Sequence, residues 1–129
     1  MDIKHNVVGW FEIPVTDMER AISFYETVFA FKLSRQQMGP SDMAWFPMVE
    51  GGIGAAGSLI CFPEAYKPSE EGTVVYFTAF SGDLSDELSR VEKAGGKVLK
   101  EKTLITEEIG YYGLFLDTEG NRIAIHSRK

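Results

Sequence analysis

Two side chains of this sequence have the types needed for proton transfer. Glu12 lies in a strand-like run from Val7 to Val15, and His126 lies in another from Arg122 to Ser127. A carboxylate and an imidazole converging on one ligand can move a proton near neutral pH, because a free imidazole titrates at about 6.5. The opposing reading pairs Glu12 with an arginine or with solvent and makes His126 a hydrogen-bonded strand-end histidine. His5, in the N-terminal stretch, is read as solvated. The single cysteine, Cys61, sits in an apolar run and is read as a small buried hydrophobe, not a nucleophile. Trp45 fits either the core or a pocket wall. Gly51-Gly52-Ile53-Gly54 is glycine-rich, but no helix pattern follows to supply the N-terminus a phosphate loop needs, so it reads as a hairpin loop. Glu70-Glu71 and Glu107-Glu108 read as loop charges.

The elements that carry these residues follow from periodicity. Met18, Ala21, Ile22, Tyr25, Val28 and Phe29 fall on one helical face, which predicts a helix from about Met18 to Phe29. Thr16 followed by Glu19 fits a capping box with Thr16 as N-cap. Leu84, Leu88, Val91 and Ala94 predict a second helix from about Leu84 to Ala94, ended by Gly95-Gly96. Strand-like runs rich in aromatic and β-branched residues precede and follow each helix. Before them are Val7 to Val15 and Thr73 to Phe80. After the first come Phe31 to Gln37, Asp42 to Met48 and Ala56 to Phe62. After the second come Lys97 to Leu104, Tyr111 to Leu116 and Arg122 to Ser127.

Both halves therefore read β-α-β-β-β. At a constant offset of 66 residues Asp17 falls on Asp83, Met18 on Leu84, Ile22 on Leu88 and Leu33 on Leu99. Self-similarity at half the chain length indicates a duplicated unit. The first unit spans about 6–62, a Pro- and Gly-containing linker 63–72, and the second unit about 73–128, all within one domain covering 1–129. The predicted fold class is α+β: two βαβββ repeats forming a curved, incompletely closed eight-stranded sheet around a cleft.

Composition narrows the function. A net charge of −6 without a basic cluster argues against nucleic acid as a partner. No apolar run approaches the roughly 18 residues of a membrane span, and the N-terminus does not read as a signal peptide. One cysteine excludes an internal disulfide framework, so the expected location is the cytoplasm.

Three stretches resemble the vicinal oxygen chelate superfamily, which includes glyoxalase I, bleomycin-resistance proteins and extradiol dioxygenases. Ile13-Pro14-Val15-Thr16-Asp17-Met18-Glu19-Arg20-Ala21-Ile22-Ser23-Phe24-Tyr25 is similar to that family's opening motif. Leu88 to Val98 is similar to its second helix and turn. Asp117-Thr118-Glu119-Gly120-Asn121-Arg122-Ile123 is similar to its closing motif. The resemblance implies up to four metal ligands, one from the first and one from the last strand of each unit. The motif spacings place two of them at Trp10 and Ala124, and the repeat offset places the others at Tyr76 and Ser58.

None of these four is a good ligand. Divalent metals in such sites take imidazole nitrogen or carboxylate oxygen. Indole offers an N–H and no lone pair, alanine offers nothing, and neutral Ser and Tyr are weak. The expectation is thus no metal and no cofactor. Strand alternation extends the lining to Val8 and Glu12, Ile60, Val74 and Thr78, and Arg122 and His126. The expected ligand-binding set is Trp10, Glu12, Ser58, Tyr76, Thr78, Ala124 and His126, with Trp10 and Tyr76 facing each other. The leading expectation is a metal-free cavity protein that binds a small organic molecule, as bleomycin-resistance proteins do. The alternative is a glyoxalase-like lyase or isomerase, either metal-independent through Glu12 and His126 or metal-dependent with displaced ligands. The resemblance also implies a homodimer.

Overall fold

The structure is a computed structural model that describes residues 2–129. Its elements run β1 (Trp10–Pro14), α1 (Met18–Phe29), β2 (Ser34–Met38), β3 (Ser41–Trp45), β4 (Ala56–Cys61), β5 (Tyr76–Thr78), α2 (Leu84–Val91), β6 (Lys97–Thr106), β7 (Gly110–Leu116) and β8 (Arg122–Ser127). The strands form two four-stranded sheets of matching order, β1-β4-β3-β2 and β5-β8-β7-β6. In each sheet the first strand of a unit pairs in parallel with its last, and the other pairs are antiparallel. This is the duplicated βαβββ arrangement, without a closed barrel.

Helix α1 has the predicted bounds, because its apolar stripe is wide and continuous: Met18, Ala21, Phe24, Tyr25, Val28 and Phe29 are all buried. Its N-cap, however, is Asp17 and not Thr16. The Asp17 carboxylate accepts from the Arg20 amide at 3.1 Å, and the Asp17 carbonyl accepts the first helical bond from Ala21. A residue whose carbonyl starts the ladder is the cap by definition. Glu19, the other half of the expected capping box, instead meets Arg35 at 2.6 Å. The α-helical part of α2 stops at Val91, three residues early. Beyond it the Ala94 amide is shared between the carbonyls of Arg90 and Val91, and Gly96 donates back to Val91 as Gly95 takes a φ of 103°. The apolar spacing continued through this tightened turn, so periodicity alone could not separate it from helix.

The first strand of each unit is shorter than its apolar run. β1 and β5 are edge strands with one paired neighbour each. Val8 and Val74, expected in the lining, fall outside them, and Val8 is exposed. The two units also differ in register. Glu12 pairs with Ser58 across β1 and β4, whereas its repeat equivalent Thr78 pairs with His126, not with Ala124. The slip is two residues. Side chains alternate with a period of two, so the slip leaves every residue on its original face.

The units join on the side of the sheets that carries the helices. Phe11 and Phe77 lie 5.8 Å apart edge to face, and Phe77 also packs against Tyr25, Phe29 and Phe46. Phe115 of the second unit meets Phe24 and Phe29 of the first. The rings that meet across the repeat junction are thus the neighbours of Trp10 and Tyr76. No helix among the described residues is long and apolar enough to cross a membrane.

Candidate functional site

The helices settle which sheet face is which. Ile13, Ala44 and Leu59 belong to the buried core of the first unit, so Phe11, Gly57 and their alternates point toward α1. Gly57 has no room for a side chain: a Cβ there would lie 2.4 Å from the Phe11 ring. The register pairs Trp10–Ala56, Glu12–Ser58 and Trp45–Ser58 therefore occupy the opposite face. In the second unit Phe77, Ile123, Ile125 and Phe115 face the core, which leaves Tyr76, Thr78, Arg122, Ala124 and His126 on the corresponding open face.

On the first sheet, Trp10 and Trp45 stand on the two strands flanking β4. Their rings reach across its small residues Ala56 and Ser58 and touch edge to face, 5.8 Å apart. Ser58 lies fully buried, while Trp10 stays 39% exposed. Three buried polar atoms have no hydrogen-bond partner among the described residues: Trp45 Nε1, Ser58 Oγ and Arg122 Nε. Trp45 and Ser58 belong to the open face of the first sheet, and Arg122 to that of the second.

Glu12 and His126 are each engaged locally. The Tyr66 hydroxyl lies close to Glu12, and interaction with that carboxylate raises the Tyr66 pKa. His126 Nε2 lies 2.6 Å from the Ile109 carbonyl. A carbonyl can only accept, so Nε2 carries the proton and Nδ1 is left as the free ring atom. Glu12 pairs in register with Ser58 on the first sheet, and His126 with Thr78 and Tyr112 on the second. The Cys61 thiol donates to the Thr16 carbonyl at 3.9 Å, and burial, helped by the Asp42 charge, pushes its pKa up. A raised thiol pKa leaves little thiolate to act as a nucleophile. His5, Glu70, Glu71, Glu107 and Glu108 are all exposed.

A cavity of about 410 Å³ opens at the repeat junction, on the helix side of the first sheet. Phe11, Phe31, Phe46, Phe77 and Phe80 form its aromatic wall, and Tyr76 and Thr78 contribute from β5. The loop 47–55 covers it, and its wall reaches Ala56 and Gly57, next to Ser58 and opposite Trp10 in register. Sequence reasoning missed the loop and the phenylalanines. Phe11 and Phe77 alternate with the predicted lining, so on β1 the cavity meets the face opposite the predicted one, while Tyr76 and Thr78 of β5 do line it.

The donor set does not suit the metal implied by the fold. Trp10, Ser58, Tyr76 and Ala124 supply no imidazole or carboxylate. Among the described residues no group of three or more His, Cys, Asp or Glu side chains is placed to hold an ion.

The motifs that carried the resemblance prove to be structural. Glu119 accepts from the amides of Thr16 and Asp17 and from Arg20 Nε at 2.8 Å. Burial resists its ionisation, but the bonds from Arg20 and the two amides outweigh this and hold its pKa at about 2. Tyr25 donates to the buried Asp117 at 2.6 Å, and Asn121 Nδ2 donates to both the Pro14 carbonyl and Asp117. Burial raises both the Tyr25 and Asp117 pKa values. The opening and closing motifs thus clasp each other across the repeat junction.

Comparison with known proteins agrees with this geometry. A protein from Didymella fabae described as a glyoxylase-like domain-containing protein is 30% identical over 128 residues, 98% of this chain and 97% of that one. A glyoxalase/bleomycin resistance protein from Albidiferax ferrireducens superposes with a TM-score of 0.69 at 15% identity, covering 96% of this chain and all of the other. TnmS3, an antibiotic binding protein from Streptomyces, superposes with a TM-score of 0.63 at 24% identity over 100% of this chain and 99% of its own. The family model matches residues 7–125, nearly the whole of both repeats. With the duplicated units, the clasped motifs and this match in agreement, the chain belongs to the Glyoxalase/Bleomycin resistance protein/Dioxygenase superfamily.

Proposed function

We propose that this chain binds a small organic molecule in the aromatic cavity at the repeat junction, without a metal. The observation that carries this reading is a cavity of about 410 Å³ at the repeat junction, walled by phenylalanines and lined by Tyr76 and Thr78 of β5. Such a space suits a compact, flat ligand held by area burial and ring stacking, each aromatic pair adding about 0.5–1.5 kcal/mol beyond burial. Of the expected ligand set, Tyr76 and Thr78 line this cavity, while Trp10, Glu12, Ser58 and Ala124 stand on the open sheet faces. His126 acts as a hairpin clamp. A lyase or isomerase reaction through Glu12 and His126 is not favoured, because the two stand on different sheets and His126 Nε2 is taken by the Ile109 carbonyl. The single free cysteine supports a cytoplasmic setting.

We also propose a homodimer, supported by apolar side chains left open to solvent. Met48, Val49 and Ile53 of the cavity loop and Phe80 are all about half exposed or more.

The test of binding is calorimetry on protein dialysed against a chelator, with a panel of one- to three-ring aromatic compounds. Saturable binding at micromolar to submillimolar Kd is expected, at least tenfold weaker in Phe80→Ala, which removes a ring of the cavity wall that is 66% exposed. Binding that appears only after Zn, Ni, Fe or Mn is restored would overturn the metal-free reading. No binding by any panel member would overturn the cavity reading.

A further inference from the structure

We propose that the occupant of the junction cavity is a neutral planar ring compound with a hydrogen-bond donor and acceptor on adjacent atoms, as in a lactam, which pairs with the free backbone edge of β5. This rests on the binding reading above and specifies its chemistry.

The direction of the β5 backbone is fixed by its bonds to β8, its one paired neighbour. The Val75 carbonyl accepts from the Ala124 amide at 3.0 Å, and the Ala79 amide donates to the His126 carbonyl at 2.9 Å. In a parallel ladder every second residue of a strand bonds to a given neighbour, so Val75, Phe77 and Ala79 serve β8. The N–H and C=O groups of Tyr76 and Thr78 point the other way, toward the junction with the first unit. The first strand of that unit does not take them up, because β1 pairs with β4 alone. No backbone group among the described residues bonds to them.

The cavity runs along this edge. Val75, Tyr76, Phe77 and Thr78 all line it. Their side chains alternate between the two sheet faces, so such a run meets one space where the strand turns its edge to it. In an extended residue the N–H and C=O point to the same side, which is how two strands exchange a pair of bonds at one residue. Tyr76 and Thr78 therefore each offer a donor beside an acceptor. A ring amide, with its own N–H and C=O side by side, answers both at once. Its ring then lies against the wall formed by Phe11, Phe46 and Phe77.

Charge and length argue against two other classes of occupant. None of the described residues that line the cavity is charged. An ion there would lose its water without gaining a counter-charge, which favours a neutral ligand. β5 has three residues, Tyr76–Thr78, and the middle one bonds to β8. A peptide strand added to a sheet edge draws its affinity from a run of main-chain bonds, and an edge this short suits a compact ligand better.

Three bicyclic probes separate these contributions: 2-quinolone, 1-methyl-2-quinolone, whose donor is blocked, and naphthalene, which has neither group. In ¹⁵N-labelled protein, 2-quinolone is expected to bind at least tenfold tighter than either of the others and to move the amide proton of Tyr76 or Thr78 downfield. Proline at the position that moves, Tyr76→Pro or Thr78→Pro, removes an N–H that β8 does not use. It should erase the tenfold advantage. Tyr76→Phe or Thr78→Val keeps the N–H and should preserve it. Loss of the advantage in the Phe or Val variant would assign it to the side-chain hydroxyl and overturn the backbone pairing. Equal affinity for the three probes with both amides stationary would overturn the pairing while leaving the binding reading intact. Tighter binding of 2-naphthoate would overturn the neutral class, and tighter binding of an acetylated, amidated tripeptide of valine and threonine would overturn the small-molecule class. Failure of every probe would count against the binding reading itself.

Discussion

His126 illustrates how one hydrogen bond changes a residue's role. By type and strand phase it was a candidate acid or base. In the fold its Nε2 proton is spent on the Ile109 carbonyl, and Arg128 next to Ser127 donates to the Glu108 carbonyl of the same hairpin. These bonds pin the turn between β6 and β7 to the end of β8. His126→Ala should loosen that turn, speeding amide exchange around Glu108 and Ile109 and costing about 0.5–2 kcal/mol of stability. Aromatic ligand affinity should stay within twofold. A large loss of affinity with an unchanged exchange rate would return His126 to the ligand site. Trp10 makes the converse case. Its spacing marked it as a place where a metal ligand had been lost, and in the fold its indole roofs a buried serine.

At the scale of elements, the contact between the start of α1 and the turn between β7 and β8 is the strongest polar link across the repeat junction. Glu119 has a fully buried side chain and gathers two helix N-terminal amides, the Thr16 hydroxyl and the Arg20 guanidinium. A carboxylate at a helix N-terminus is favoured by the exposed amides and the helix dipole. Its pKa in the fold, about 2, lies below the ordinary 4.5. The charged form is thus the one the fold prefers. The stability this supplies is complete above about 4.5 and is lost as the pH falls toward 2. Glu119→Gln should cost about 1–3 kcal/mol at pH 7, and the gap from wild type should narrow through that acid window. Urea unfolding at pH 7, 4.5 and 3 reads this out, and a gap constant with pH would contradict the assignment.

For the whole molecule, the two units share one core because the aromatic residues converge on the helix side. Phe77 touches four rings of the first unit, and Phe115 touches two. The open faces are left for something other than intrachain packing. Exposed apolar residues of the cavity loop and Phe80 lie on the rim of the cavity, which is why a second copy of the chain is proposed to cover them. Sedimentation at tens of micromolar should give a mass near twice 14.4 kDa. Ile53→Asp should shift the equilibrium toward monomer with little loss of stability, because Ile53 is fully exposed in the single chain. A monomer at every concentration would refute this.

Periodicity and repetition made most of the fold legible in advance. The offset between Asp17 and Asp83 correctly matched two N-caps, although Thr16 had been read as the first of them. The bounds of α1 and β8 were readable because apolar spacing and turn residues agree there. The side of the sheet on which Trp10, Glu12, Ser58, Tyr76 and Ala124 stand also followed from alternation, and it survived a two-residue register slip that alternation does not sense. Ladder register, by contrast, depends on which amides meet across strands distant in sequence, so it was settled only in three dimensions. The same holds for the partners that occupy Glu12 and His126. Tyr66 and Ile109 belong to loops, whose paths no periodic pattern encodes. Composition and spacing determined the elements and the absence of metal-binding side chains at the four positions. Only tertiary packing decided that Phe11 and Phe77 close the junction, that the familiar motifs serve as a clasp, and that Ser58 and the Nε1 atom of the half-buried Trp45 are shielded with donors unpaired. Those outcomes depend on contacts between residues far apart in the chain.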